Sequence, residues 1–229
     1  TRQSASDLLL EHTLVPQLMQ LDLPKAQLIA SMKYLVDTPR FFHNLGQGAS
    51  RAAMLANVGE RYSTMVTAAC GNGVTFGIKI AGMGDDWFTA PSPMIMGRYN
   101  DPNASADDQI PWCGDSSVVE CAGMGGLAGA ASPIVCKLRE MKLTDAIAQT
   151  REMEKICITH NPNYVVPNLD FDCLPAGIDA RKALETGITP VLHGGIFNKD
   201  GGLLGAGAAR IPIVCFEKAM AAFVKKYGA

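Results

Sequence analysis

The sequence predicts an α+β fold: a helical N-terminal subdomain over residues 1–60, then a glycine-rich mixed domain over residues 61–229. Three observations carry this reading. Apolar residues recur at helical spacing through the first part. Sixteen of the 23 glycines fall in three clusters of the second part, at 71–84, 114–129 and 194–207, where they punctuate short segments. Strand-like and helix-like segments there do not alternate one for one, as a doubly wound parallel sheet would require.

Each element follows from local pattern. Leu8, Leu9, Leu14, Val15, Leu18 and Leu21 mark a first helix that Ser6 or Asp7 can cap. Pro24 suits the first turn of a second helix bearing Leu28, Ile29, Met32, Leu35 and Val36, and Pro39 ends it. The segment 41–58 opens with Gly46 and Gly48, which favour loop; Arg51 to Asn57 reads as helix and Gly59 as its stop. Residues 64–69 and 74–80 read as strands joined by Cys70-Gly71-Asn72-Gly73, because Asn-Gly between strand-like runs is a hairpin signal. Residues 86–90 form a third candidate strand, and 100–109 a polar loop. Helices are expected over 117–138 and 143–159, irregular chain around Pro162 and Pro167, and a helix over 178–185. Residues 190–197 and 208–214 read as strands, and 216–227 as a terminal helix.

Composition narrows the function. Charged residues are 18% and apolar residues 48%, which excludes a disordered chain. A net charge of −2 without a basic block leaves no footprint for nucleic acid. No apolar run is long enough to span a membrane, and the N-terminus has no signal-peptide pattern. The seven cysteines are an odd number with no C-x-x-C pair, which reads as buried free thiols of a cytoplasmic protein and gives no metal or cofactor site. The start at Thr1, without Met, fits a trimmed or processed chain, or part of something longer, and a surface poor in charge fits docking onto a partner.

Three motifs offer chemistry. In Gly114-Asp115-Ser116-Ser117-Val118-Val119-Glu120, Ser117 and Glu120 match a capping box. A helix start there would offer N–H groups to an anion. Gly123-Met124-Gly125-Gly126 has the letters of a dinucleotide fingerprint but not its strand-then-helix context, so close packing is the plainer reading. In the third cluster His193, Lys199 and Asp200 stand among glycines. There His193 could polarise a carbonyl or move a proton, and Lys199 could hold a phosphate. Arg210, inside a small apolar run, requires an anion or carboxylate partner. Asn72 serves its turn or a substrate, Asp179 reads as a helix cap, and His12, His43 and His160 share no ligand spacing.

These strings also carry a resemblance. Val66-Thr-Ala-Ala-Cys-Gly-Asn72-Gly73-Val74-Thr-Phe76-Gly77-Ile78, the run Trp87 to Pro91, Gly114-Asp115-Ser116 with Glu120, the Gly-x-Gly-Gly run and Asn161-Pro162 together resemble the AllG family. Ile178-Asp179, Lys199-Asp200, Gly205-Ala-Gly207 and Cys215-Phe216-Glu217-Lys218-Ala219 continue it over nearly the whole chain. One group of that family is a subunit of oxamate carbamoyltransferase in anaerobic allantoin degradation. Members are longer, and this chain resembles their C-terminal half.

The resemblance implies part of a multi-subunit carbamoyltransferase acting on carbamoyl phosphate and an amide such as oxamate. It implies partners: the missing N-terminal half or a separate chain supplying it, an FdrA-type subunit, and a small anionic substrate. Chemistry then assigns Gly114, Ser116, Ser117, Lys199, Asp200 and Arg210 to substrate binding, and Asn72, His193 and Asp115 to catalysis. His193 and Asn198 depart from the family's pattern, which bears on the acceptor. Two other classes are a non-catalytic assembly subunit and an N-terminal-threonine hydrolase with Thr1 as nucleophile.

Overall fold

The computed structural model describes residues 7–38, 41–132, 136 and 140–228. Thr1, Ser6 and Pro39, and with them the first of the two capping residues and the hydrolase nucleophile, lie outside the described residues. The chain divides into two compact units, Thr1–Ala49 and Ser50–Ala229.

The first unit is helical. A π-helical turn, Leu10–Leu14, runs into α1, Val15–Leu18, and α2 spans Lys25–Asp37 directly after Pro24. The next helix, α3, spans Phe41–Leu55. It already begins at Phe41, so Gly46 and Gly48 sit within helix rather than loop. A helical glycine costs about 1 kcal/mol against alanine, which a 15-residue helix absorbs.

The second unit carries the sheets. Its first four strands are β1 (Val66–Asn72), β2 (Thr75–Ile80), β3 (Phe88–Pro91) and β4 (Met96–Tyr99). After β5 (Cys113–Gly114) come β6 (Cys157–Val165), β7 (Cys173–Ile178), β8 (Val191–Phe197) and β9 (Leu203–Arg210). They form an antiparallel sheet in the order β3-β2-β1-β5, a second in the order β4-β9-β8, and a β6-β7 ribbon. The fold is α+β.

The Asn-Gly hairpin forms as expected, with β1 running on through Asn72. Asn72 Oδ1 accepts from the amides of Val74 (3.0 Å) and Thr75 (2.8 Å), and Gly73 takes φ +85°. A β-bulge between Val66 and Ala68 breaks the regular register. It gives Thr67 no opposite residue and leaves Ala68 paired with Lys79.

The helix expected over 117–138 is not formed as one element. A short α4, Val118–Cys121, gives way to a 3₁₀ segment, Gly125–Ala131. Gly123 (φ +86°) and Gly125 (φ +58°) are left-handed, a conformation that ends helices. Helix α5, Leu143–Glu154, is shorter than its expected 143–159, because the chain turns into β6. The strand expected over 208–214 lies earlier, as β9. Helix α6 (Ala180–Thr186) and the terminal α7 (Ile213–Tyr227) lie close to expectation.

The core sits between α7 and the first sheet. Phe76, Ile78 and Ile80 of β2 are wholly buried, as are Cys215, Phe216 and Ala219 of α7, with Phe223 buried one turn on. These α7 positions repeat at three- and four-residue spacing, so one stripe of the helix faces the sheet. Leu192 and Ile196 of β8 join the same core. Ala130, Val166, Leu169 and Leu174 form a smaller cluster.

Candidate active site at the end of the first strand

The end of β1 gathers Asn72 and the Gly114–Ser117 turn from the residues singled out above. Gly71 pairs with Gly114 and Asn72 with Cys113, so Asn72 lies beside the turn Gly114-Asp115-Ser116-Ser117. Ser117 does not cap α4. Its hydroxyl is buried and donates to the Ala69 carbonyl at 3.0 Å, pinning the turn to β1.

Glu120 does not complete a capping box either. It is fully buried, and its Oε1 accepts from the amides of Gly126 (2.9 Å) and His193 (3.1 Å). One carboxyl thereby joins α4, the 3₁₀ segment and the strand bearing His193. Oε2 is buried with no hydrogen-bond partner among the described residues. Burial pushes the carboxyl from 4.5 up to about 7, against the pull of the backbone amides. The Gly-x-Gly-Gly run serves this packing. A Cβ on Gly125 would strike the Glu120 carboxyl, and one on Gly126 the Val191 carbonyl.

Along β1 and β2 a thiol, Cys70, lies within the electrostatic reach of two cations, Lys79 and Arg51. Cys70 is half-buried; burial and the charge of Asp115 raise its pKa, while Lys79 and Arg51 draw it down. The Lys79 ammonium is buried, 2.7 Å from Asp85 Oδ1 and 5.0 Å from the Trp87 ring centre. Arg51 Nη1 donates to the Thr67 carbonyl at 3.3 Å. Arg51 and Lys79 were not singled out by sequence. Lys79 left a trace, a lysine between two isoleucines of a strand. Arg51 left none, because its neighbours are distant in the chain.

The remaining residues lie apart. Lys199 and Asp200 occupy the exposed turn between β8 and β9, across a cavity of about 420 Å³ from Asp101, Asp107 and Asp108. Arg210, at the far end of β9, is held by Glu152 (2.5 Å) and the Thr189 carbonyl (2.6 Å). The eight residues of β9 separate the two ends by roughly 25 Å, so Lys199 and Arg210 do not converge on one anion. Asp179 caps α6 as expected, accepting from the Arg181 amide at 2.8 Å and the Thr64 hydroxyl at 2.7 Å. Although burial pushes its carboxyl up, the Arg181 and Thr64 hydrogen bonds hold it below the usual range. Among the described residues no group of three His, Cys, Asp or Glu could hold a metal ion, and no helix is long and apolar enough to cross a membrane.

The arrangement has the parts for handling a small anion with a polar carbonyl. It combines a serine-bearing turn with a left-handed glycine (Gly114, φ +137°), a side-chain amide beside it, nearby cationic charge, and a histidine strand fixed by a buried carboxyl.

Comparison with known proteins gives the chain a family. The family model described as oxamate carbamoyltransferase subunit AllG matches residues 1–116. The oxamate carbamoyltransferase subunit AllG of Escherichia coli (strain K12) is 37% identical over 99% of this chain and 55% of its own length. The uncharacterized protein YahG of the same organism is 33% identical over 99% of this chain and 48% of its own length. A crystal structure of a conserved protein of unknown function from Enterococcus faecalis V583 superposes with a TM-score of 0.91 at 35% identity, covering 98% of this chain and 54% of that one. The chain thus spans about half the length of the relatives it matches.

Proposed function

Because the chain belongs to the oxamate carbamoyltransferase subunit AllG family, we propose that it forms part of a carbamoyltransferase subunit that moves a carbamoyl group between carbamoyl phosphate and an amide such as oxamate. The observation that carries this reading is 37% identity to the Escherichia coli subunit across 99% of the chain. The setting is a cytoplasmic multi-subunit complex of allantoin degradation, with an FdrA-type subunit among the partners.

In the forward direction the acceptor's amide nitrogen attacks the carbamoyl carbon. A C–N bond forms, the C–O bond to phosphate breaks, phosphate leaves with the electron pair, and the nitrogen loses a proton. The turn Gly114 to Ser117 would receive phosphate oxygens, with the charge of Arg51 nearby. Asn72 engages its Oδ1 in the hairpin, which leaves Nδ2 facing the role of donor to the carbamoyl oxygen. His193, its strand fixed by Glu120, would take the proton. Lys199, Asp200 and Arg210 stand outside this arrangement.

The test uses the intact complex. Asn72→Ala, Ser116→Ala and His193→Ala should each lower kcat/KM by about 100-fold, with melting temperature unchanged. Lys199→Ala should leave it within about twofold. Equal effects of all four, or unfolding by the first three, would refute the placement.

A further inference from the structure

We infer that the apolar surface of the N-terminal helical unit is a docking face for the polypeptide that makes up the remaining half of the family's members. This rests on family membership and on the unit's own packing. It does not depend on the transferase chemistry.

Among the described residues of that unit, only Leu35 is buried. Leu8, Met19, Leu21, Ile29, Tyr34 and Val36 are between 54% and 72% exposed. A groove of about 530 Å³ opens between Leu14, Leu18, Ala30, Tyr34, Leu35 and Phe41, with Tyr34 edge-on to Phe41 at 6.3 Å. Ordering each residue costs about 1–2 kcal/mol of backbone entropy, and burying a leucine-sized side chain returns about 1.5–3 kcal/mol. One buried leucine cannot hold three helical segments in place, so the unit requires a further apolar surface. Lys33 and Asp37 of this unit form an exposed ion pair with each other at 2.8 Å, and the groove itself is lined mainly by apolar side chains. The surface therefore fits a protein face, not a charged ligand.

The occupant follows from length. Two curated relatives match this chain over 99% of its length yet devote only 55% and 48% of their own to it. The solved relative superposes over 98% of this chain and keeps just under half of its own chain outside the match. In each, roughly half of the polypeptide has no counterpart here and is tethered to the matched part. Tethering gives that stretch an effective concentration that no second copy of the chain reaches.

The experiment replaces the matching stretch of the 37%-identical Escherichia coli relative with this chain, giving one joined polypeptide. Amide hydrogen exchange is then compared with that of the chain alone, with α7 as internal reference. The expected result is exchange across Lys25–Asp37 at least about tenfold slower in the joined polypeptide. The double substitution Ile29→Asp, Val36→Asp should abolish that protection while α7 stays unchanged, because both side chains are exposed in the chain alone. Equal exchange in both polypeptides overturns the inference. So does protection that survives the double substitution. Protection already present in the chain alone, lost together with a dimer on making the substitutions, would make the occupant a second copy and also overturn it. No substrate enters the experiment, so failure of the transferase reading leaves its outcome intact.

Discussion

Glu120 is the residue on which the site turns. Its carboxyl is held at about 7 by burial, so the folded chain keeps a proton that the unfolded chain has released. The native state binds more protons between about pH 4.5 and about pH 7, and stability must fall as pH rises through that window. The loss is on the order of 3 kcal/mol. Glu120→Gln still accepts from Gly126 and His193 but does not titrate. Its melting temperature should change less than that of the wild type between about pH 5 and about pH 8, read by calorimetry. Asp179 has the opposite sign. Its carboxyl is depressed, so its stabilisation is present above the ordinary carboxylate range and lost as pH falls. Asp179→Ala removes a helix cap and a buried partner of Thr64, and should cost about 1–3 kcal/mol in urea unfolding. Asp179 was legible in sequence, since a cap needs only local order. Glu120 was misread for the same reason. The spacing Ser117-x-x-Glu120 is a local signal, but the amide of His193, 73 positions away, won the carboxyl.

At the scale of elements, glycines decide where helices end. Gly125 combines a left-handed backbone with a Glu120 carboxyl where its Cβ would stand. Gly125→Ala should therefore destabilise by about 2–4 kcal/mol, visible as a lower urea midpoint with unchanged slope. On α7, Phe216 is wholly buried against the first sheet; Phe216→Ala should cost about 3–5 kcal/mol. The hairpin, α2, α6, β8 and α7 were readable because their caps, turns and periodicity lie within a few residues. The strands β4 to β7 were not. β5 is two residues long, and β6 carries Asn161, Pro162 and Asn163 with mostly exposed positions. Their identity comes from pairing partners and not from pattern. The single helix expected over 117–138 gives way where Gly123 and Gly125 take positive φ, and letter frequency does not show that Gly123 must clear the Pro175 carbonyl.

At the scale of the whole molecule, two properties meet. The second unit has a continuous core and a polar site at the end of β1; the first has almost no core of its own. Under the proposed docking, the part of the relatives that has no counterpart here supplies the apolar surface that the first unit lacks. The site's membership was only partly visible beforehand: Asn72 lies beside the Gly114–Ser117 turn and Glu120 holds the strand of His193, while Lys199 and Arg210 separate along β9. Their chemistry had assigned Lys199 and Arg210 together to substrate binding, whereas β9 holds them at opposite ends. The central claim, carbamoyl transfer, is tested most directly by following ¹³C-labelled carbamoyl phosphate by NMR. The complex would be assembled around the joined polypeptide, with and without oxamate. The account predicts a new ¹³C–N resonance and stoichiometric phosphate release that require oxamate and are lost in Ser116→Ala. Phosphate release at the same rate without any amide acceptor, or no turnover in a fully assembled complex, would contradict it.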